Sequence, residues 1–296
     1  MGVPGVDTVR VHANGMEIEC LVAGDGPLVL CLHGFPDSAT SWHPVLAALS
    51  SAGYRAVAPF MRGYAPTGPA PDGCYQVADL ARDANALHEA FGGGPAMVVG
   101  HDWGAPAAYG AAILAPERWR AVVGMAVPPW GAMGRALVGN LDQVQRSWYM
   151  FLFQHPLAEH LVSSDDFAFI GRLWRQWSPG FDDDRVVAGA KDALRGDGCL
   201  AAALGYYRAA LGSGHRDPAR IDEQRLVASD APVQPLRYLH GADDGCIGLE
   251  VVRDAAAHAP VGADVQILDG AGHFLQLERP DAVAAAVVDW ADRHLR

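Results

Sequence analysis

An aspartate occupies the centre of a sharp turn between a predicted buried strand and a predicted helix. Residues 96–99 are an apolar run typical of a buried strand, and the alanine-rich residues 105–114 favour a helix. Gly100 and Gly104 lie two residues before and two after Asp102, so strand and helix can pack closely around a strained turn. Because a carboxylate is already ionised, Asp102 can attack carbon and form an ester without an activating base. The alternative is an ordinary turn in which Asp102 caps the helix.

Two further polar segments follow predicted strands late in the chain, at residues 241–244 and 270–274. Both lie just past strand carboxyl ends, the edge at which open α/β sheets bind ligands. The order nucleophile, acid, histidine is that of α/β-hydrolases. His273 is the candidate base that activates water against an ester on Asp102. Asp244 is the candidate acid that orients the His273 ring, with the adjacent Asp243 as an open alternative.

A third segment, His-Gly-Phe-Pro at residues 33–36, follows another predicted core strand. The backbone N–H groups of Phe35 and Trp103 are candidates for an oxyanion hole that binds the charge formed when water attacks the ester. Pro36 has no N–H, and a cis bond before it would fix Phe35. A tight turn without a catalytic role is the simpler alternative.

Two tyrosines in a helical, aromatic-rich part of the chain could assist a carboxylate nucleophile. Tyr149 and Tyr207 lie 58 positions apart in the sequence. A strained three-membered ether opens readily only if its leaving oxygen is stabilised, and phenol O–H groups are suitable donors. Most tyrosines in such helices contribute only to packing, so the residue pattern alone leaves both interpretations open.

The elements that must position these residues alternate between strands and helices. Residues 8–12 and 16–23 predict a hairpin, and the order of the later segments predicts a mostly parallel sheet with helices on both faces. Between residues 130 and 225 strand-like runs disappear and helical segments dominate. We therefore predict a core at residues 1–129 and 226–296, and a helical lid, or cap, inserted at 130–225.

Composition limits the possible classes of function. The chain has 296 residues and a formal net charge of -12, which argues against nucleic acid and anionic membranes as partners. Its five cysteines are scattered and form no Cys-x-x-Cys pair, so neither a disulfide framework nor a zinc ribbon is expected. No apolar stretch reaches the length of a membrane span, and no leader is recognisable. A cytoplasmic protein is the expectation, with a homodimer left open.

From the hairpin onward, the chain resembles the epoxide hydrolases of the α/β-hydrolase fold. The resemblance rests on HGFP at 33–36, GHDWGA at 100–105, YMFLFQHPLAE at 149–159, GYYRAAL at 205–211, HGADD at 240–244 and GAGHFLQLERP at 270–280. It implies Asp102 as nucleophile, His273 as base, Asp244 as its acid, and Tyr149 and Tyr207 as the ring-opening pair. Tyr206 is expected to face away.

The resemblance further implies that a small apolar epoxide is converted to a vicinal diol without metal or cofactor. Phe35, Trp103 and Phe153 are the expected substrate contacts. One alternative is a haloalkane dehalogenase, in which Trp103 would donate to the leaving halide. Phe35 argues against it, because similar dehalogenases often place Asn there as a second donor. A second alternative is a non-catalytic ligand receptor on the same scaffold.

Overall fold

A computed structural model describes residues 5–129, 131–212, 214–229, 231–257 and 262–296. It contains an eight-stranded sheet in the order β1-β2-β4-β3-β5-β6-β7-β8. The strands are β1 (Asp7–Ala13), β2 (Met16–Ala23), β3 (Leu28–Leu32), β4 (Arg55–Pro59), β5 (Ala96–His101), β6 (Trp119–Met125), β7 (Leu236–Gly241) and β8 (Asp264–Leu268). Strand β2 runs antiparallel to both β1 and β4, and the remaining pairs are parallel. The predicted mostly parallel α/β sheet is thus confirmed.

Helices cover both faces of the sheet because alternate strand residues point to opposite sides. Leu30 and Val98 belong to one hydrophobic cluster with α2 (Val77–Ala90) and α3 (Gly104–Leu114). Val29 and Val99 belong to the other, with α1 (His43–Ser51) and α13 (Pro280–Leu295). The short helices α11 (Leu249–Ala257) and α12 (Leu275–Glu278) complete the second half of the chain.

Between β6 and β7 the described chain is helical. The helices are α4 (Ala132–Gly139), α5 (Leu141–Arg146), α6 (Trp148–Leu152), α7 (Ala158–Trp177), α8 (Asp184–Arg195), α9 (Cys199–Leu211) and α10 (Ile221–Ser229). Helix α7 is interrupted by non-helical backbone at residues 164–167. The predicted lid boundary at residue 225 falls inside α10, which packs against α2 and α3. Trp130, the first residue of the predicted lid, lies outside the described residues.

The parallel register brings the polar segments to one edge. Leu32 pairs with Gly100, His101 with Met125 and Gly241 with Leu268, so β3, β5, β7 and β8 end at the same side of the sheet. The loops that follow these strands carry the HGFP segment, Asp102, Asp244 and His273. None of the described helices has both the length and the apolar composition needed to cross a bilayer.

Candidate active site

Asp102 lies on a strained turn between β5 and α3. Its φ of 51° is in the left-handed region, which costs a residue with a Cβ about 1–2 kcal/mol. The flanking glycines make the turn possible, because a Cβ on Gly100 would collide with Gly104 O and a Cβ on Gly104 would collide with Leu32 O. The small residues around Asp102 therefore have the packing role that the sequence predicts, and the turn holds the carboxylate at the edge of the sheet.

The Asp102 carboxylate is nearly buried and faces two candidate partners. Its Oδ1 accepts a hydrogen bond from the Phe35 backbone N–H at 2.7 Å, and its Oδ2 lies 3.5 Å from His273 Nε2. A Cβ on Gly34 would collide with Asp102 Oδ1 and would lie 2.6 Å from the Trp103 backbone nitrogen. Glycine at position 34 thus allows the HGFP loop to approach both the Asp102 carboxylate and the Trp103 backbone nitrogen. The Phe35–Pro36 peptide bond is cis, as predicted.

His273 and Asp244 are paired in the protein interior. His273 Nδ1 and Asp244 Oδ2 are 2.9 Å apart. The other oxygen, Oδ1, accepts hydrogen bonds from the backbone N–H groups of Cys246 at 2.7 Å and Ile247 at 2.9 Å. Asp243 is exposed, whereas Asp244 is buried. Of the two acids that the sequence leaves open, Asp244 is therefore the one in contact with the histidine.

The two carboxylates change the titration of His273. Burial by itself lowers the pKa of the imidazole, but the charges of Asp244 and Asp102 outweigh burial and raise this pKa to about 10. Burial opposes ionisation of Asp244, yet its contacts with His273 hold the pKa of this carboxyl below its usual value. The resting site consequently favours an imidazolium between two carboxylates.

The end of α7 is attached to the loops that carry Asp244 and His273. The main-chain oxygen of Trp177 accepts hydrogen bonds from the backbone N–H groups of His273 and Gly245, each at 3.0 Å. Ser178 Oγ accepts from the Phe274 N–H at 3.0 Å and donates to Glu278 Oε1 at 2.6 Å. These contacts link the end of α7 to the loop that follows Asp244 and to the loop that carries His273.

Tyr149 on α6 and Tyr207 on α9 reach the site from the helices between β6 and β7. Their ring centroids are 5.7 Å apart, and both side chains line one cavity with Asp102. Burial raises the pKa of each phenol well above its usual value, and nearby Cys246 and Asp102 add to this effect. Both hydroxyls therefore stay protonated and able to donate. Tyr206 instead donates to Arg62 O at 2.7 Å.

The cavity that contains these groups has a volume of about 230 Å³. Apart from Asp102, the two tyrosines and Cys246, its walls are almost entirely apolar. They are formed by Trp103, Pro106, Val127, Met133, Gly134, Leu137, Met150, Ala210, Leu211 and Ile247. A cavity of this kind suits a small apolar ligand with one or two polar atoms.

Two of the three predicted substrate contacts do not line this cavity. Trp103 lines the cavity, but Phe35 and Phe153 are not among its lining residues. Phe153 is fully buried and packs edge-on against Phe35 at 5.4 Å and against Tyr207 at 5.0 Å between ring centroids. In the structure these two phenylalanine rings pack beside the tyrosines, and their contact with substrate stays a prediction.

Three side chains of metal-ligand type meet near the base. One ligand atom from each of Asp244, Cys246 and His273 lies within 4.8 Å of the others. However, both Asp244 oxygens and His273 Nδ1 already have hydrogen-bond partners in the protein. The pairing of Asp244 with His273 therefore explains why these three side chains lie close together.

Sequence reasoning missed three residues of the site. Cys246 Sγ lies 3.4 Å from the Tyr149 hydroxyl, and Trp177 and Ser178 hold the base loop. Cys246 is only two residues after Asp244, so its proximity to the site could have been predicted from the sequence. Trp177 and Ser178 had no comparable signal, because their contacts depend on where the end of α7 meets loops nearly 100 residues later.

Known proteins resemble this chain in both sequence and fold. A family model described as alpha/beta hydrolase fold matches residues 27–280. Epoxide hydrolase A of Mycobacterium tuberculosis is 31% identical over 319 residues, covering 97% of this chain and 98% of that protein. An epoxide hydrolase of Caballeronia sordidicola is 35% identical, but the match covers 59% of this chain and only 57% of the relative. The solved epoxide hydrolase from an endophytic Streptomyces superposes with a TM-score of 0.78 at 27% identity, covering 98% of this chain and 96% of that one.

Proposed function

The chain belongs to the epoxide hydrolases of the α/β-hydrolase fold, and we propose that it converts an apolar epoxide to a vicinal diol through an ester on Asp102. The observation that carries this proposal is the shared cavity of Asp102, Tyr149 and Tyr207. A carboxylate nucleophile and two phenol donors are the groups that ring opening of a strained ether requires.

In the first step, an Asp102 oxygen attacks one epoxide carbon while the carbon–oxygen bond on its opposite side breaks. The electron pair of that bond moves to the epoxide oxygen, which takes a proton from Tyr149 or Tyr207. Their protonated state at neutral pH follows from burial, which raises both pKa values. The product of this step is an alkyl ester on Asp102 with a free hydroxyl on the neighbouring carbon.

In the second step, water attacks the ester carbonyl carbon of Asp102 and gives a proton to His273. The Phe35 N–H, 2.7 Å from Asp102 Oδ1, and the nearby Trp103 N–H are the proposed donors to the oxyanion. Its collapse releases the diol, and the departing oxygen takes the proton from His273. Ester formation removes the charge of Asp102, one of the two carboxylates that raise the pKa of His273, so the imidazolium releases its proton, which restores the tyrosine hydroxyl used in ring opening, and the neutral imidazole can act as a base. Asp102 leaves the intermediate as a carboxylic acid and passes its proton to His273, which regenerates the resting carboxylate and imidazolium.

In this assignment, the two proposed parts of the chain supply different groups to the reaction. The core, at 1–129 and 226–296, supplies the nucleophile, the acid and the base. The lid, at 130–225, supplies Tyr149 and Tyr207. Because the apolar walls come from both parts, the substrate is expected to bind between them.

Diol formation from styrene oxide tests the proposed function. We expect the purified protein to release phenylethane-1,2-diol over many turnovers and Asp102→Ala to release none above the uncatalysed rate. Bromide release from 1-bromobutane without diol formation would instead support a haloalkane dehalogenase. A thermal shift with styrene oxide but no product from either compound would support a ligand receptor.

A further inference from the structure

Neither His273 nor Phe35, which both contact Asp102, lines the cavity beside this nucleophile. Resting on the proposed function, we propose that the site accepts epoxides whose substituents are on a single ring carbon and rejects trans-1,2-disubstituted epoxides. The reason is that a continuous set of buried rings, which we call the aromatic arc, fills the space next to Asp102 between His273 and Phe35. It consists of His273, Trp177, Tyr149, Phe153 and Phe35.

Each ring of the aromatic arc contacts the next. The centroid distances along it are 5.1 Å from His273 to Trp177, 4.9 Å from Trp177 to Tyr149, 5.5 Å from Tyr149 to Phe153 and 5.4 Å from Phe153 to Phe35. All five residues are buried, with relative exposures of 4% or less. Only Tyr149 of the arc lines the cavity. An added substituent on this side would have to displace closely packed rings.

The cavity beside Asp102 is mostly aliphatic. Its walls include Pro106, Val127, Met133, Leu137, Leu211 and Ile247. Met133 and Leu137 are only partly buried, because helix α4 separates the cavity from solvent there. Unbranched and flexible side chains such as Met133 adapt to ligands of different shapes. A substituent that enters this cavity does not have to displace a packed ring of the aromatic arc.

The geometry of ring opening connects this asymmetry to the substrate. Asp102 must approach the attacked carbon opposite the breaking bond while the epoxide oxygen faces Tyr149 and Tyr207. These two constraints hold the three-membered ring between the Asp102 carboxylate and the hydroxyls of Tyr149 and Tyr207. A trans-disubstituted epoxide then directs its two substituents to opposite sides. One enters the open cavity and the other meets the aromatic arc.

Two isomeric substrates test the proposal, because they have the same size and composition and differ only in the position of one methyl group. 4-Methylstyrene oxide has its extra methyl at the far end of the substituent, whereas trans-β-methylstyrene oxide has it on the second epoxide carbon. For the wild-type protein we expect kcat/KM to be about 10- to 100-fold higher for 4-methylstyrene oxide, the loss that overpacking by one methyl group produces. Values within about twofold of each other would overturn the proposal. If neither isomer nor styrene oxide yields a diol, the proposed function itself fails.

Two substitutions on opposite sides of the nucleophile test the same asymmetry. Phe153→Ala removes a ring from the aromatic arc, and we expect it to reduce the preference between the isomers at least about fivefold. Leu137→Trp fills the open side, and we expect it to lower kcat/KM for 4-methylstyrene oxide about tenfold. Val138→Trp is the matched control, because Val138 is the next residue of α4 and is 91% exposed. Equal kcat/KM values for Leu137→Trp and Val138→Trp would overturn the proposal even if Phe153→Ala does not fold.

Discussion

The main-chain oxygen of Trp177 accepts a hydrogen bond from the backbone N–H of His273 at 3.0 Å. The last residue of lid helix α7 is thereby joined directly to the proposed base. The next residue extends the connection, because Ser178 Oγ bonds both the Phe274 N–H and Glu278. Glu278 Oε2 in turn accepts from the Gly272 N–H at 2.9 Å. Three consecutive N–H groups of the base loop are thus held by Trp177, Ser178 and Glu278.

Loss of the Ser178 hydroxyl should affect the two chemical steps unequally. Ser178→Ala removes a contact to the His273 loop and none to Asp102, so we expect ester hydrolysis to slow about tenfold and ester formation to change less than about twofold. Rapid-quench measurement of both steps checks this. Ser163→Ala, which changes an exposed serine within α7, is the control. Equal slowing of both steps by Ser178→Ala would contradict a role in positioning the base.

The choice of Asp244 over Asp243 gives a matched pair of variants. Asp244→Asn removes the negative charge that faces His273 Nδ1 at 2.9 Å, and we expect hydrolysis of the ester to fall about 100-fold or more. Asp243→Asn alters an exposed neighbour and should leave the rate within about twofold of wild type. Single-turnover decay of the ester measures both. A larger loss in Asp243→Asn would reverse the assignment.

Removal of the two lid hydroxyls should slow ring opening. Tyr149→Phe and Tyr207→Phe each remove one donor to the epoxide oxygen, so we expect ester formation to slow about 10- to 100-fold in each and further in the double variant. Tyr206→Phe removes a hydroxyl that bonds Arg62 O, and should lower stability without slowing this step. Stopped-flow tryptophan fluorescence follows ester formation. A double variant with the wild-type rate would remove the main support for the proposed function.

The pH dependence of ester hydrolysis should follow the protonation of His273. The pKa of His273 is about 10 while both carboxylates are charged, and esterification of Asp102 lowers it by removing one charge. As pH falls through this lowered value, His273 gains a proton and hydrolysis slows. We expect a single acidic limb with a midpoint below 10, measured by rapid quench. His273→Gln should lack the limb and accumulate the ester without turnover; sustained turnover by this variant would exclude His273 as the base.

Local patterns were enough to predict the elements that position the site. The alternation in residues 8–12 and 16–23, the apolar run 96–99 and the alanine-rich residues 105–114 each give elements within two residues of those observed. The glycines beside Asp102 predict the turn because their requirement is steric and local. Strand order brings the separate segments together, since parallel strands following one another must end at the same edge.

Packing between distant segments could not be derived in the same way. The packing of Phe153 against Phe35, Tyr149 and Tyr207 is one example, because these rings meet only when the helices between β6 and β7 pack against the sheet. The contact of Trp177 with His273 depends likewise on the angle at which α7 approaches the sheet. Side-chain identity alone does not determine such contacts.

A single turnover in heavy-oxygen water tests the ester on Asp102 most directly. Excess enzyme is mixed with styrene oxide in H₂¹⁸O, and mass spectrometry measures label in the diol and in the peptide that contains Asp102. The proposed mechanism predicts a first diol without ¹⁸O at its new hydroxyl and ¹⁸O in Asp102, because water attacks the ester carbonyl carbon. A labelled diol with an unlabelled Asp102 would mean that water attacks the epoxide directly, and would contradict the assignment of Asp102 as nucleophile.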